Sequence, residues 1–279
     1  MKIAILIDRP RWEEKRLLDA ALKKGLKPIL LNLNEIILDL SRIQFDDYDL
    51  VLQRCISHYH GLYASKILED VGLKVMNKFS VSAILGNKLF LTLLLNKAGI
   101  KTPRTYIAFD REKAEEAIEK LDFRAVVKPL VGSWGRYVTP IFSKQEMKPI
   151  LDLFDNIMHP PNNVYYVQEL VERPPRDIRM IIAGKDIIAC VYRNSKEGVW
   201  ATNVAQGAIT TPCELNEELK SLAEKISKTL NGGIFGIDVM ESKEGYLVND
   251  VNPTPEFKGA QACTAHDIAE KIIEYVVNG

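Results

Sequence analysis

Short apolar runs alternate with helical patterns through the first third of this chain, and that alternation leaves few folds open. Residues 3–7 read Ile-Ala-Ile-Leu-Ile and stop at Asp8. Five such residues suit a buried strand. Trp12, Leu17, Leu18, Ala21 and Leu22 then recur near helical spacing, with Gly25 as the stop. Residues 28–33, 49–53 and 74–76 predict further strands, and 62–71 predict a helix ended by Gly72. Strands separated by helices run parallel, because a parallel neighbour needs a long crossover. Residues 1–86 are therefore expected to form a Rossmann-like parallel-sheet domain. A helix is expected from Ser80 to about Lys97, with Gly99 as its stop.

The remaining pattern is mixed. Strands are expected at 106–109, 125–128, 137–141 and 165–171, with helices at 111–121 and 143–157. Two hairpins follow. One joins 178–183 to 187–192 through Gly184-Lys185-Asp186, and the other joins 234–240 to 246–251 around Lys243-Glu244-Gly245. Helices at 217–230 and 265–277 complete an α/β (α+β) chain.

Composition excludes several classes. Lys plus Arg and Asp plus Glu are 37 each, so the formal net charge is zero. A general nucleic-acid binder carries a basic excess. No stretch reaches the roughly 18 apolar residues of a membrane span. The four cysteines show no Cys-x-x-Cys pair, and His58 and His60 lack further ligands at metal spacing. A cytoplasmic protein with reduced thiols is expected.

Two regions carry the chemistry. The apolar run Val126-Val127 ends in Lys128-Pro129 and meets Gly132-Ser133-Trp134-Gly135-Arg136. Bare glycines let backbone N–H groups surround an anion, and a lysine adds point charge. Such a loop suits nucleotide phosphates, although a lysine ending a strand can also be a surface group. Lys88 offers a second ammonium or a solvated helix face. In the second hairpin, Asp250 and Asn252 share one face of a strand, and Asp238 can join them across the turn. A lone carboxylate inside Ile234-Phe235-Gly236-Ile237-Asp238-Val239-Met240 is costly unless paired or metal-bound. Oxygen donors of this kind suit Mg²⁺ bridging to phosphates. Arg179 and Arg193 suit carboxylate or phosphate. Arg176 and Asp177 can pair with each other at the surface. Arg9, Arg11 and Arg54 lie near strand ends, where they form either a basic docking rim or solvated groups.

The order Lys88, Lys128-Pro129, Gly132 to Arg136, Gln168-Glu169-Leu170-Val171, Arg176-Asp177-Ile178-Arg179, Tyr192-Arg193, Asn203, Asp238 and Asp250-Val251-Asn252 resembles the ATP-grasp ligases. Within them it is most similar to the RimK-like branch and to the ligases that charge an amino-group carrier protein in lysine and arginine biosynthesis. The strings 132–136 and Asn252-Pro253-Thr254-Pro255-Glu256-Phe257-Lys258 are the most specific parts. The resemblance implies a central lid domain at 87–172 and a C-terminal domain at 173–279. It implies that Lys88, Lys128 and the loop Gly132, Ser133, Trp134, Gly135 and Arg136 hold the phosphates of ATP. Gln168, Glu169, Leu170 and Val171 become an adenine hinge. Asp238, Asp250 and Asn252 become ligands of two Mg²⁺ ions. Arg179, Arg193 and Asn203 contact acyl-phosphate and amino acid, and Glu256 and Phe257 shape the amino-acid pocket. The implied partners are an amino acid and a small acidic carrier protein of the LysW type, with a homo-oligomer of two or four chains.

The implied reaction forms an acyl-phosphate from a carboxylate and ATP, then an amide. Lys128 neutralises charge at the phosphoryl group, and Arg193 and Asn203 steady the oxyanion. No residue identifies itself as the base for the amine. Two positions depart from the family pattern. Asp250 stands where Glu is usual, and Asn203-Val204-Ala205-Gln206-Gly207-Ala208 replaces the Asn-Thr-Ala-Arg-Gly-Gly of aminoadipate-type ligases. The second favours glutamate, although one methylene discriminates by only ~1–3 kcal/mol. Two rival readings remain. One is glutamylation of a ribosomal-protein tail, a peptide or a pterin-type cofactor, and the other a non-catalytic ATP-binding adaptor.

Overall fold

The structure is a computed structural model that describes residues 1–132, 134–158, 164–196 and 207–278. The first sheet follows the expected alternation. Strands β1 (Lys2–Ile7), β2 (Lys27–Asn32), β3 (Leu50–Gln53) and β4 (Val75–Met76) pair in parallel in the order β2-β1-β3-β4. Helix α1 (Trp12–Lys23) crosses between β1 and β2, and α2 (His58–Asp70) between β3 and β4. The Ser57 hydroxyl caps α2 by accepting from the His60 N–H.

The helix expected over 80–97 is two helices, α3 (Phe79–Leu85) and α4 (Lys88–Lys97), bent by 98°. The break falls at Gly86-Asn87. The Asn87 side chain accepts from the N–H groups of Leu89 and Phe90, so it starts a new helix instead of continuing the old one. Among the described residues no single helix is long and apolar enough to cross a membrane.

The second sheet is antiparallel, in the order β5-β8-β6-β7. Its chain order is β5 (Thr105–Ala108), α5 (Arg111–Glu119), β6 (Ala125–Lys128), β7 (Thr139–Ile141), α6 (Lys144–Met158) and β8 (Tyr165–Glu169). Alternation divides its strands. Ala125, Val127, Tyr165 and Val167 pack into a core with α5 and α6. Val126, Lys128 and Gln168 therefore point to the other side, into a cleft.

The third sheet has the order β11-β10-β9-β12-β13 and is antiparallel. It is built from β9 (Arg176–Ala183), β10 (Asp186–Asn194), β11 (Ile209–Pro212), β12 (Ile234–Ser242) and β13 (Gly245–Asn252). Both expected hairpins form. The edge strand β11 has no counterpart in the sequence expectation. Helix α7 (Glu217–Leu230) covers one face with α4 over Ile178, Met180, Ile237, Val239 and Val251. The short α8 (Lys258–Gln261) and α9 (Ile268–Asn278) lie on the other face, where α9 packs against α1. Residues of the first and third sheets share that core, from Ile3, Ile5 and Leu17 to Ile181, Val191 and Ile272. The cleft opens where the three sheets meet.

Candidate active site

Register explains the charged face of the third sheet. In antiparallel pairs, directly opposed residues project to the same side. Arg193 opposes Asp177, Asp238 opposes Arg179, and Asp238 also opposes Asp250. Asp177 and Arg179 are two apart on β9. One row of charges therefore crosses four strands, while the alternate residues fill the core below. Arg193 donates twice to Asp177, at 2.7 and 2.6 Å, and its Nη2 is 3.1 Å from Asp238 Oδ1. Arg179 Nε lies 2.6 Å from Asp238 Oδ1, and Arg179 Nη2 donates to Oδ2 at 3.2 Å. Burial pushes the Asp238 carboxyl up, and Arg179 and Arg193 pull it back. Burial lowers Arg179, against the pull of Asp238.

Gly236 makes room for this row. A Cβ there would fall 2.4 Å from Arg179 Nη1 and 3.1 Å from Pro255 Cβ. Gly236→Ala is expected to push Arg179 off Asp238 and lower stability by about 1–3 kcal/mol. Chemical denaturation checks it, with a lower midpoint and unchanged slope as the expected result.

Lys128 closes the cleft from the second sheet. It is 5 % exposed, and its Nζ donates to Gln168 Oε1 and, at 2.9 Å, to Asn249 Oδ1. Burial lowers its pKa to about 7, with Lys88 adding repulsion. Asn249 reaches it because of a β-bulge. Asp238 faces Asp250, but Val239 faces Val248, so Asn249 is an extra residue in β13. Both Asn249 and Asp250 then face the cleft. Strict alternation assigns only Asp250 to that side, so sequence reasoning missed Asn249. It also missed Asp177 as the partner of Arg193. Arg176 instead pairs with Glu241 at 2.7 and 3.0 Å and stacks on Tyr192.

Gly132 and residues 134–136 of the glycine loop line the cleft. Gly135 has φ +67°, which suits glycine, and the Arg136 guanidinium lies 4.8 Å from the centre of the Trp134 ring. Lys88 Nζ donates to the Gly132 carbonyl at 3.1 Å. Trp134 Nε1 donates to Glu256 Oε1 at 3.1 Å, and Arg11 Nη1 donates to the same oxygen at 3.1 Å. Arg11 and Arg54 both bind Glu14, and Arg54 Nη2 donates to the Pro255 carbonyl. The loop is thus tied through Glu256 to helix α1. Arg54 is 2 % exposed, which removes it from any docking rim.

Of the expected site residues, Lys88, Lys128, Gly132, Trp134, Gly135, Arg136, Gln168, Glu169, Leu170, Val171, Arg179, Arg193, Asp238, Asp250, Asn252 and Glu256 all line one cleft of about 1490 Å³. Phe257 does not: its ring is fully buried, 5.7 Å from the Trp12 ring. Ser133 and Asn203 lie outside the described residues. Among the described residues no three His, Cys, Asp or Glu side chains cluster as a metal cage. The donors nevertheless fit Mg²⁺, which takes one or two carboxylates and completes its shell with water and phosphate oxygens. Asp238 Oδ1 is buried and makes no well-aligned hydrogen bond in spite of its close arginines. Asp250 stands beside it at the cleft.

This architecture, three sheets around a cleft with lysines on one wall and carboxylates on the other, is that of an ATP-grasp enzyme. The RimK-like ATP-grasp domain profile matches residues 86–276, and the LysX preATP-grasp domain profile matches residues 3–84. The chain belongs to the RimK-like ATP-grasp family and is an ATP-dependent carboxylate–amine ligase. It is 36% identical to the α-aminoadipate–LysW ligase LysX of Saccharolobus solfataricus, over 95% of this chain and 97% of the relative. It is 33% identical to the glutamate–LysW ligase ArgX of Sulfolobus acidocaldarius, over 100% of this chain and 99% of the relative. A solved structure of the ATP-grasp ligase PsnB with minimal precursor, Mg and ADP has the same fold, with a TM-score of 0.72 and 17% identity. The match covers 99% of this chain and 96% of that one.

Proposed function

We propose that the protein joins the α-amino group of glutamate, or of 2-aminoadipate, to the C-terminal glutamate γ-carboxyl of a LysW-type carrier protein, converting ATP to ADP and phosphate. The names of the relatives and their full-length coverage support this substrate class. The observation that carries the reading is the Lys128–Asn249 contact of 2.9 Å. It brings a phosphate-binding lysine to the strand that bears Asp250, across a cleft large enough for a nucleotide and a peptide end.

In this reading Lys128 and Lys88 hold the phosphates, and the 132–136 loop covers them. The N–H groups of Glu169 and Leu170 donate to the carbonyls of Arg104 and Arg124. Val171 is therefore the hinge residue whose N–H meets adenine. Asp238, Asp250 and Asn252 hold two Mg²⁺ ions, which neutralise phosphate charge when bound. Arg193, fixed by Asp177, presents its guanidinium to the acyl-phosphate and then to the oxyanion. Arg179 and Glu256 line the approach of the amino acid. The segments 1–86, 87–172 and 173–279 act as three domains whose closure excludes water from the acyl-phosphate. The protein works in the cytoplasm as an assembly of two or four identical chains.

Intact-mass spectrometry tests the reaction. A LysW-type carrier incubated with the protein, ATP and Mg²⁺ is expected to gain one glutamate or one aminoadipate residue, and ADP to appear in equal amount. Glutamate is the expected amino acid. Glutamylation of a small molecule with no carrier present overturns the acceptor. ATP binding without ADP formation, with the carrier and both amino acids supplied, overturns the reaction itself.

A further inference from the structure

We propose that Cys190 and Cys213 form an oxidisable dithiol, which hydrogen peroxide converts to a disulfide in the folded protein. The pair belongs to the face of the third sheet that packs under α7, away from the cleft. The ladder between β10 and β11 runs from Asn194↔Ile209 to Val191↔Pro212. The Cys213 N–H donates to the Cys190 carbonyl at 3.3 Å, which carries the register one residue further. The two cysteines are thus directly opposed. Their side chains leave the sheet on the same side. Opposed residues of this kind have Cα atoms about 5.5 Å apart, within the span a disulfide bridges. Strand β11 is the sheet edge, so few neighbours resist the small shift that bond formation needs.

The surroundings favour reaction. Cys190 is half-buried, and Cys213 lies just beneath the surface. Hydrogen bonds from Cys190 and from the Tyr192 hydroxyl, against opposing burial, pull the Cys213 thiol down to about 7. Cys213 is then the attacking sulfur and Cys190 keeps its proton. Cys55 is the contrasting case: burial pushes its thiol up, and its Sγ donates to the Leu6 carbonyl. In the first step the Cys213 thiolate attacks a peroxide oxygen, giving a sulfenic acid and hydroxide. In the second, the Cys190 sulfur attacks Cys213 Sγ and expels the sulfenic oxygen as water. The Cys190 proton leaves with the sulfenic oxygen, and the proton that Cys213 shed on ionising turns the hydroxide into water, so two thiols lose two electrons and one peroxide becomes two waters.

The test uses the full chain, reduced and then treated with hydrogen peroxide. After denaturation, free thiols are counted with maleimide by intact mass. Of the four cysteines, two are expected to remain labelled, and the unlabelled chain to lose about 2 Da. A peptide linking 190 to 213 is expected after proteolysis, and dithiothreitol is expected to restore four labels. Cys190→Ser is expected to leave oxygen adducts on Cys213 in place of the bridge. Four labels after peroxide, a link through Cys55 or Cys263, or sulfonic acid on Cys213 of the unaltered protein would each overturn the proposal.

Discussion

Lys128→Met is expected to lower ADP formation at least about 10³-fold while moving the melting temperature by only a few degrees. The two effects separate because the amine is buried. A buried, desolvated lysine opposes folding, and methionine fills similar space without charge. Its loss leaves Gln168 Oε1 and Asn249 Oδ1 without this donor, which costs about 1–3 kcal/mol each. Removal of the desolvated amine offsets that cost, so the net change is expected to stay within about 2 kcal/mol. Turnover has no such offset, because Lys128 is the donor that Gln168 and Asn249 hold at the cleft. A coupled ADP assay and a thermal melt on the same preparation decide the matter. Near-normal turnover in this variant removes Lys128 from the site.

The same lysine gives a pH signature. Its pKa in the free protein is lowered to about 7 from an ordinary 10.5. The unfolded chain therefore holds a proton that the folded chain has lost between these values. Lys128 costs stability fully below about pH 7, and the cost fades as pH rises towards 10.5. Phosphate charge favours the ammonium, so ATP binding is expected to take up a proton in that window. At pH 8 the uptake approaches one proton per chain, and affinity falls as pH rises further. Calorimetry in two buffers of different ionisation enthalpy reads the uptake directly. Lys128→Met is expected to abolish it.

Asp238→Asn is the second large effect, and it strikes fold and chemistry together. The carboxylate faces Arg179 and Arg193 at 2.6 and 3.1 Å. Arg193 keeps Asp177, but Arg179 loses its close counter-charge while 13 % exposed. An uncompensated buried charge costs about 3–5 kcal/mol. The variant is expected to melt well below the parent and to form no ADP at any Mg²⁺ concentration. The double variant Asp238→Asn/Arg179→Met tests the stability role, since Arg179 also lines the approach of the amino acid. It is expected to recover stability, since it removes the orphaned charge, and not to recover activity. Recovered turnover would take Asp238 out of the metal site.

Much of the fold is legible in residues 2–76. There the alternation of strand and helix follows from burial of β1 and β3 on both faces of a parallel sheet, which leaves continuous apolar runs. The hairpins at Gly184-Lys185-Asp186 and Lys243-Glu244 are equally local, fixed by turn chemistry. The break at Gly86-Asn87 was not legible, because apolar spacing on both sides fits one helix. Only the capping bonds of Asn87 divide it. Strand β11 is short and mostly exposed, so it has no apolar signature and exists through its pairing with β10.

The site divides in the same way. Sequence alone determined which groups were available: an ammonium ending an apolar strand, glycines in the loop after it, and carboxylates inside an otherwise apolar hairpin. These follow from local cost, since a charge in an apolar run has to be matched by something. What matches it was decided only by tertiary structure. Antiparallel register put Asp177 on Arg193 and Asp238 on Arg179, a bulge turned Asn249 towards Lys128, and Glu256 joined the loop to α1 through Arg11. Each of these contacts joins residues from different strands, sheets or loops. Pairing across such distances depends on register and packing, which no single stretch of chain encodes.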